Sequence, residues 1–111
     1  MWKKIKIPFN EWSKERLGIT KFGTSRNKKY GNVGDLFIVG NYEFQLIHVI
    51  KLPLVFVRNV LFEMEGAESP EEFEKVWIDI HPRKGFVPEQ EVWYHHFRVK
   101  NKSKVKGSEK E

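Results

Sequence analysis

Residues 34–50 read Gly34-Asp35-Leu36-Phe37-Ile38-Val39-Gly40-Asn41-Tyr42-Glu43-Phe44-Gln45-Leu46-Ile47-His48-Val49-Ile50. Two β-prone runs flank a two-residue Gly-Asn turn, a pattern that predicts a β-hairpin, because such turns need left-handed backbone that glycine and asparagine tolerate. Upstream, residues 3–9 alternate lysine and isoleucine before Pro8, which suits a short edge strand. Asn10 is a good N-cap for a brief helix through Leu17, with Gly18 as its stop. Residues 18–32 are polar and basic, a loop with room for one short strand. Downstream, Pro53 interrupts the β pattern. Residues 54–56 then form a separate strand or lead into a weak helix at residues 57–64.

Ser69-Pro70-Glu71-Glu72 is the clearest helix start: a capping serine, proline at the first helical position and a glutamate three residues after the cap. Phe73, Val76, Trp77 and Ile80 follow at helical spacing, one apolar stripe expected to face the core. Residues 91–100 form a final strand rich in aromatic and β-branched side chains. Residues 101–111 have no apolar period and are expected to be a loose basic tail. Together these elements predict an α+β fold over residues 1–100, a small, partly closed antiparallel barrel with two to three flanking helices.

The chain has 111 residues, 40% of them hydrophobic and 14% aromatic, enough to bury one core and too few for two. It has no cysteine, which excludes disulfides, thiolate zinc sites and a cysteine nucleophile. No apolar run is long enough to span a bilayer, and a cytoplasmic location is the expectation. The net charge of +5 is unevenly spread. Residues 1–34 hold nine basic and two acidic side chains, whereas residues 61–82 hold seven acidic and one basic. Such a chain either presents a basic face to phosphate or is evenly solvated.

The polar residues of interest lie far apart: Lys21, Thr24 and Arg26 after the first helix, Gly34-Asp35 before the hairpin, and Glu65-Gly66 ahead of Ser69-Pro70-Glu71-Glu72-Phe73. This ordered set resembles the ASCH family of the PUA-like superfamily, whose pattern runs Gly-x-Lys-x-x-Thr/Glu-x-Arg, then Gly-Asp, then Glu-Gly and Ser-x-x-Glu-Phe. The resemblance implies a PUA-like barrel whose cleft takes RNA or a nucleotide-like ligand. It also implies a runner-up, a small metal-independent amidohydrolase acting on an acetylated cytidine, because some relatives use a Lys, a Thr and a Glu that match Lys21, Thr24 and Glu65. A Thr hydroxyl needs a base to take its proton, and Lys21 serves only if burial or a second cation such as Arg26 lowers its pKa. The bland alternatives stay open: an ordinary Lys21–Glu65 ion pair, a turn hydroxyl at Thr24, and Arg26 paired with Asp35 or Glu65.

For a ligand, Arg26, Lys28, Lys29 and Tyr30 are the expected contacts. Lys3, Lys4, Lys6, Lys14, Arg16, Lys100, Lys102, Lys104 and Lys106 are available to neutralise phosphate. Tyr30, Tyr42 or Trp93 is available to stack a base. His48, His81, His95 and His96 do not have metal-binding spacing, since neighbours on a strand point to opposite faces. No cofactor and no metal are expected; the expected partner is RNA or a modified nucleoside, taken up by a monomer.

Overall fold

In the computed structural model, which describes residues 2–102, the expected hairpin is the centre of the molecule. β2 (Leu36–Val39) and β3 (Tyr42–Pro53) pair antiparallel across Gly40-Asn41, with Val39 opposite Tyr42. Gly40 holds φ +60°, the left-handed geometry this turn demands. β3 runs along β4 (Glu91–Lys102), and β1 (Gly23–Arg26) pairs with the far side of β4. The result is one antiparallel sheet in the order β1-β4-β3-β2. Register shifts at Glu43/Phe44 and Leu46/His48 mark irregularities of the kind that bend a sheet toward closure. With α1 (Glu11–Lys14), α2 (Leu54–Val60) and α3 (Pro70–Ile80), this is the α+β, partly closed barrel that the sequence implied.

Two apolar clusters hold it together. Ile7, Leu17, Phe37, Phe44, Leu46 and Phe97 form the first. Within it the rings of Phe37, Phe44 and Phe97 lie 5.1, 5.2 and 5.3 Å apart, a mutual packing of edges and faces that aromatic quadrupoles favour. Leu54, Val57, Ala67, Phe73, Trp77 and Val92 form the second, where α2 and α3 pack on the sheet.

Several elements differ from expectation. Residues 3–9 make only an isolated parallel bridge, Lys4 to Leu36, and form no strand. Pro8 has no N–H for a ladder, and it lines a cavity instead. α1 stops at Lys14 rather than Leu17, because the Arg16 carbonyl then accepts the N–H groups of Ile19, Thr20 and Lys21 in a tight turn. Of the two readings of residues 54–56 the helical one holds, since α2 begins directly after Pro53. β4 continues past residue 100: Asn101 and Lys102 sit opposite Glu43 and Tyr42, and the Asn101 amide donates to Glu43 at 3.1 Å. The tail expected over residues 101–111 therefore begins no earlier than residue 103, and residues 103–111 lie outside the described part.

The α3 cap is as read, with Ser69 Oγ accepting the Glu72 N–H at 3.0 Å. Glu72 reaches one residue further back than a capping box requires, accepting the Glu68 N–H at 2.7 Å. The apolar stripe of α3 divides. Phe73 and Trp77 are buried, but Val76 is half-buried and Ile80 is 49% exposed. The last two edge a cavity instead of joining the core.

Candidate functional site

β1 is an edge strand, paired only with β4, and side chains from both of its faces line a cavity of about 470 Å³. Thr24 and Arg26 come from one face and Ser25 from the other. Phe73, Val76, Trp77 and Ile80 of α3 give it an apolar wall, and Pro8, Asn10, Trp12 and Ser13 complete the lining. A backbone bridge between Lys21 and Glu65, reinforced by Phe22 N–H donating to the Met64 carbonyl at 2.7 Å, joins segments 44 residues apart. Gly66 follows with φ +95°, and a Cβ there would lie 3.0 Å from Lys21 Cβ, so the Glu-Gly pair lets Lys21 lie flat against the turn.

Lys21 Nζ donates to Glu65 Oε1 at 3.1 Å and to the Glu65 carbonyl at 3.0 Å. Glu65 Oε2 accepts from Ser25 Oγ at 2.6 Å. All three side chains are buried. Burial lowers the Lys21 amine from its ordinary value; the Glu65 carboxylate opposes this shift, and the Arg26 and Arg16 cations add to it. Burial, and secondarily the Glu65 charge, raises the Tyr94 phenol above the usual range. Tyr94 is the cross-strand partner of Ser25.

Lys21, Thr24, Glu65 and Arg26 thus line one hollow. Lys21 and Glu65 are directly bonded, while Thr24 Oγ1 accepts from Arg26 Nε at 3.1 Å. The hydroxyl on the carboxylate belongs to Ser25, which sequence reasoning missed; it occupies the variable position between Thr24 and Arg26, where no spacing rule singles it out. Arg26 pairs with neither Asp35 nor Glu65. It donates Nη2 to the Pro8 carbonyl at 2.6 Å, and its guanidinium lies 4.9 Å from the Phe9 ring and 5.4 Å from the Tyr30 ring. Asp35 instead closes its own turn by accepting the Asn32 N–H at 2.8 Å. Lys28 and Tyr30 line the cavity, with the Lys28 ammonium 4.9 Å from the Tyr30 ring. Lys29 turns the other way, over Trp93. Tyr42 packs against Phe44 at 5.7 Å and lines a different hollow.

His95 and His96 face opposite sides of β4. His96 stacks with Tyr94 and, across the strand pair, with His48. His95 is fully buried and accepts the Tyr30 N–H on Nε2 at 3.0 Å, so its proton sits on Nδ1, which faces the Thr24 carbonyl at 3.3 Å. One imidazole therefore ties the Tyr30 loop to β1. Burial lowers its pKa below the ordinary 6.5, opposed by the Thr24 carbonyl and aided by Arg26. The unfolded chain then takes up a proton near 6.5 that the folded chain refuses, so stability is lost as pH falls below that value. We expect the melting temperature to drop between about pH 7 and pH 5, and the drop to be shallower in His95→Gln. Identical slopes in the two proteins would disprove this.

No family model and no curated protein matches the sequence. Solved structures do. An ASCH domain from Lactobacillus crispatus superposes with a TM-score of 0.68 at 14% identity, covering 88% of this chain and 79% of the other. The fold is that of an ASCH domain. A DUF984-family protein from Enterococcus faecalis gives a TM-score of 0.60 at 18% identity, covering 96% of this chain and 84% of its own. In this ASCH fold no described helix is long and apolar enough to cross a membrane. Among its described residues no three histidine or carboxylate side chains gather as metal ligands do.

Proposed function

We propose that the cavity binds a nucleobase and its sugar, presented by single-stranded RNA or as a free modified nucleoside. The observation that carries this reading is the mixed lining of the cavity. It combines buried charged and hydroxyl groups (Lys21, Glu65, Ser25) with the apolar side chains of Val76, Trp77 and Ile80. A base needs both, a flat apolar surface to lie on and fixed donors and acceptors at its edge. Arg26 and Lys28 at the Tyr30 side supply positive charge for a phosphate or ribose oxygen. The volume of about 470 Å³ is ample for one such ligand and lies within the range of about 300–1,000 Å³ typical of small-molecule sites.

Arg26→Ala is expected to weaken binding of a nucleoside monophosphate or short single-stranded RNA by about tenfold, the scale of one charged hydrogen bond. Titration at low and high salt checks it, and wild-type affinity should fall as salt rises. Undetectable binding of nucleosides, nucleotides and single-stranded RNA at low salt would end this reading.

A second reading, hydrolysis of an acetylated cytidine-type amide, is favoured by one detail. Thr24 Oγ1 accepts from the Arg26 guanidinium, which leaves its own proton free to be given up and eases loss of that proton. In this scheme Thr24 Oγ1 attacks the acyl carbon, the C–N bond breaks as the amine nitrogen gains a proton, and water then releases the acid. Thr24→Ala should abolish release of cytidine from acetylated cytidine. Turnover that survives Lys21→Ala would remove Lys21 from the chemistry.

A further inference from the structure

We propose that a polynucleotide whose base enters the cavity continues over the loop at residues 27–32 onto a second subsite, where Trp93 stacks the next base and Lys29 and Lys51 hold its phosphates; this rests on the nucleotide reading of the cavity. Trp93 is half-buried, belongs to neither apolar cluster, and has two ammonium groups near its ring: Lys29 at 5.4 Å and Lys51 at 5.5 Å from the ring centroid. An indole on a sheet face that packs no core is costly to leave in water unless it serves a contact.

The register places this group beside the cavity. Arg26 is opposite Trp93 across β1–β4, and Lys51 is opposite Trp93 across β3–β4. Residues directly opposite in antiparallel strands share a face, so Arg26, Trp93 and Lys51 form one row, with neighbours roughly 5 Å apart. The loop that follows Arg26 serves both places in alternation. Lys28 and Tyr30 point into the cavity, and Lys29 between them points to Trp93. The Tyr30 N–H bond to His95 fixes that arrangement.

The nearby negative charge is slight. Lys51 lies 4.0 Å from Glu91, with both side chains more than half exposed (53% and 59%), a pair weakly held in water. Lys29 makes no ion pair among the described residues. Two available ammonium groups around a stacking ring match the repeat of a single strand, alternately aromatic and anionic, better than they match an acidic peptide, which has no base to stack.

The test compares a nucleoside monophosphate with single-stranded hexamers, one RNA and one DNA, on the full chain. Hexamer affinity is expected to exceed monophosphate affinity by about tenfold or more, the scale of one base–aromatic stack. Trp93→Ala should erase that gain and leave monophosphate binding as it was, while Trp93→Phe should restore part of it. Lys29→Ala and Lys51→Ala should each reduce the salt slope of hexamer binding by about 0.7 and leave the monophosphate slope unchanged. A gain for RNA alone identifies the ribose hydroxyl as part of the recognition, and equal gains identify any single strand. A monophosphate that binds while neither hexamer binds more tightly overturns the second subsite and spares the cavity. Failure of all three ligands to bind overturns both, and equal losses for monophosphate and hexamer in a folded Trp93→Ala protein overturn the second subsite.

Discussion

Glu65→Leu is expected to destabilise the protein by about 3–5 kcal/mol, the cost of leaving one member of a buried ion pair without its partner. Lys21 would keep only the backbone carbonyl of residue 65 as acceptor, in surroundings that already disfavour its charge. Ser25 Oγ would also lose the carboxylate it donates to at 2.6 Å. For a domain of this size the melting temperature should fall by more than about 10 °C. The loss should lessen at alkaline pH, where Lys21 sheds its proton and no charge remains to be stranded. Lys21→Met should cost a similar amount for the mirror reason. The double variant Lys21→Met/Glu65→Leu should recover most of the stability, because a buried pair replaced by apolar side chains of similar size is often neutral. On the proposed nucleobase reading it should still bind no ligand, since the polar edge offered to a base is gone. Thermal melts of the four proteins, read as a double-mutant cycle, check this. A Glu65→Leu protein as stable as the parent would show that Lys21 and Glu65 do not depend on each other.

Gly23→Ala should disturb both stability and binding through a clash that neither residue shows alone. A Cβ at position 23 would collide with Tyr94 Oη and fall 2.7 Å from two ring carbons, and no small adjustment of a flexible tip relieves all three. Tyr94 is buried against Ser25, so the strain passes to β1, which carries Thr24, Ser25 and Arg26. Overpacking of this kind costs about 1–3 kcal/mol, and displacing β1 moves three cavity side chains at once. Gly23→Ala/Tyr94→Leu should regain stability if the ring is the obstacle. Equal losses with and without the Tyr94 change would place the fault elsewhere, in the backbone of β1.

Local signals made much of the fold legible. The Gly40-Asn41 turn and the Ser69 cap are written in neighbouring residues, and both appear where the sequence put them. β1 was legible only as room for one short strand within residues 18–32, because Gly-Thr-Ser-Arg has little β character and gains its place from β4, about 70 residues away. Residues 3–9 erred in the opposite direction: an alternating pattern that promised a strand yielded a bridge. On α3, periodicity located the apolar stripe but not the point where core gives way to cavity, since Val76 and Ile80 look no different in sequence from Phe73 and Trp77. Lys21, Thr24, Arg26 and Glu65 were legible only as an ordered set. Ser25 and His95 were hidden because their partners, Glu65 and Tyr30, are 40 and 65 positions distant.

The place of β4 in the sheet has a temporal consequence. It lies between β1 and β3 although it follows both in the chain. During synthesis, the β2–β3 hairpin and the two helices after it emerge while β1 still has no strand to pair with. Thr24, Ser25 and Arg26 gain a scaffold only when residues 91–102 arrive. A nascent chain that already has most of its helix and hairpin therefore still lacks the β1 side of the cavity, which is completed only as the closing strand slots between its neighbours.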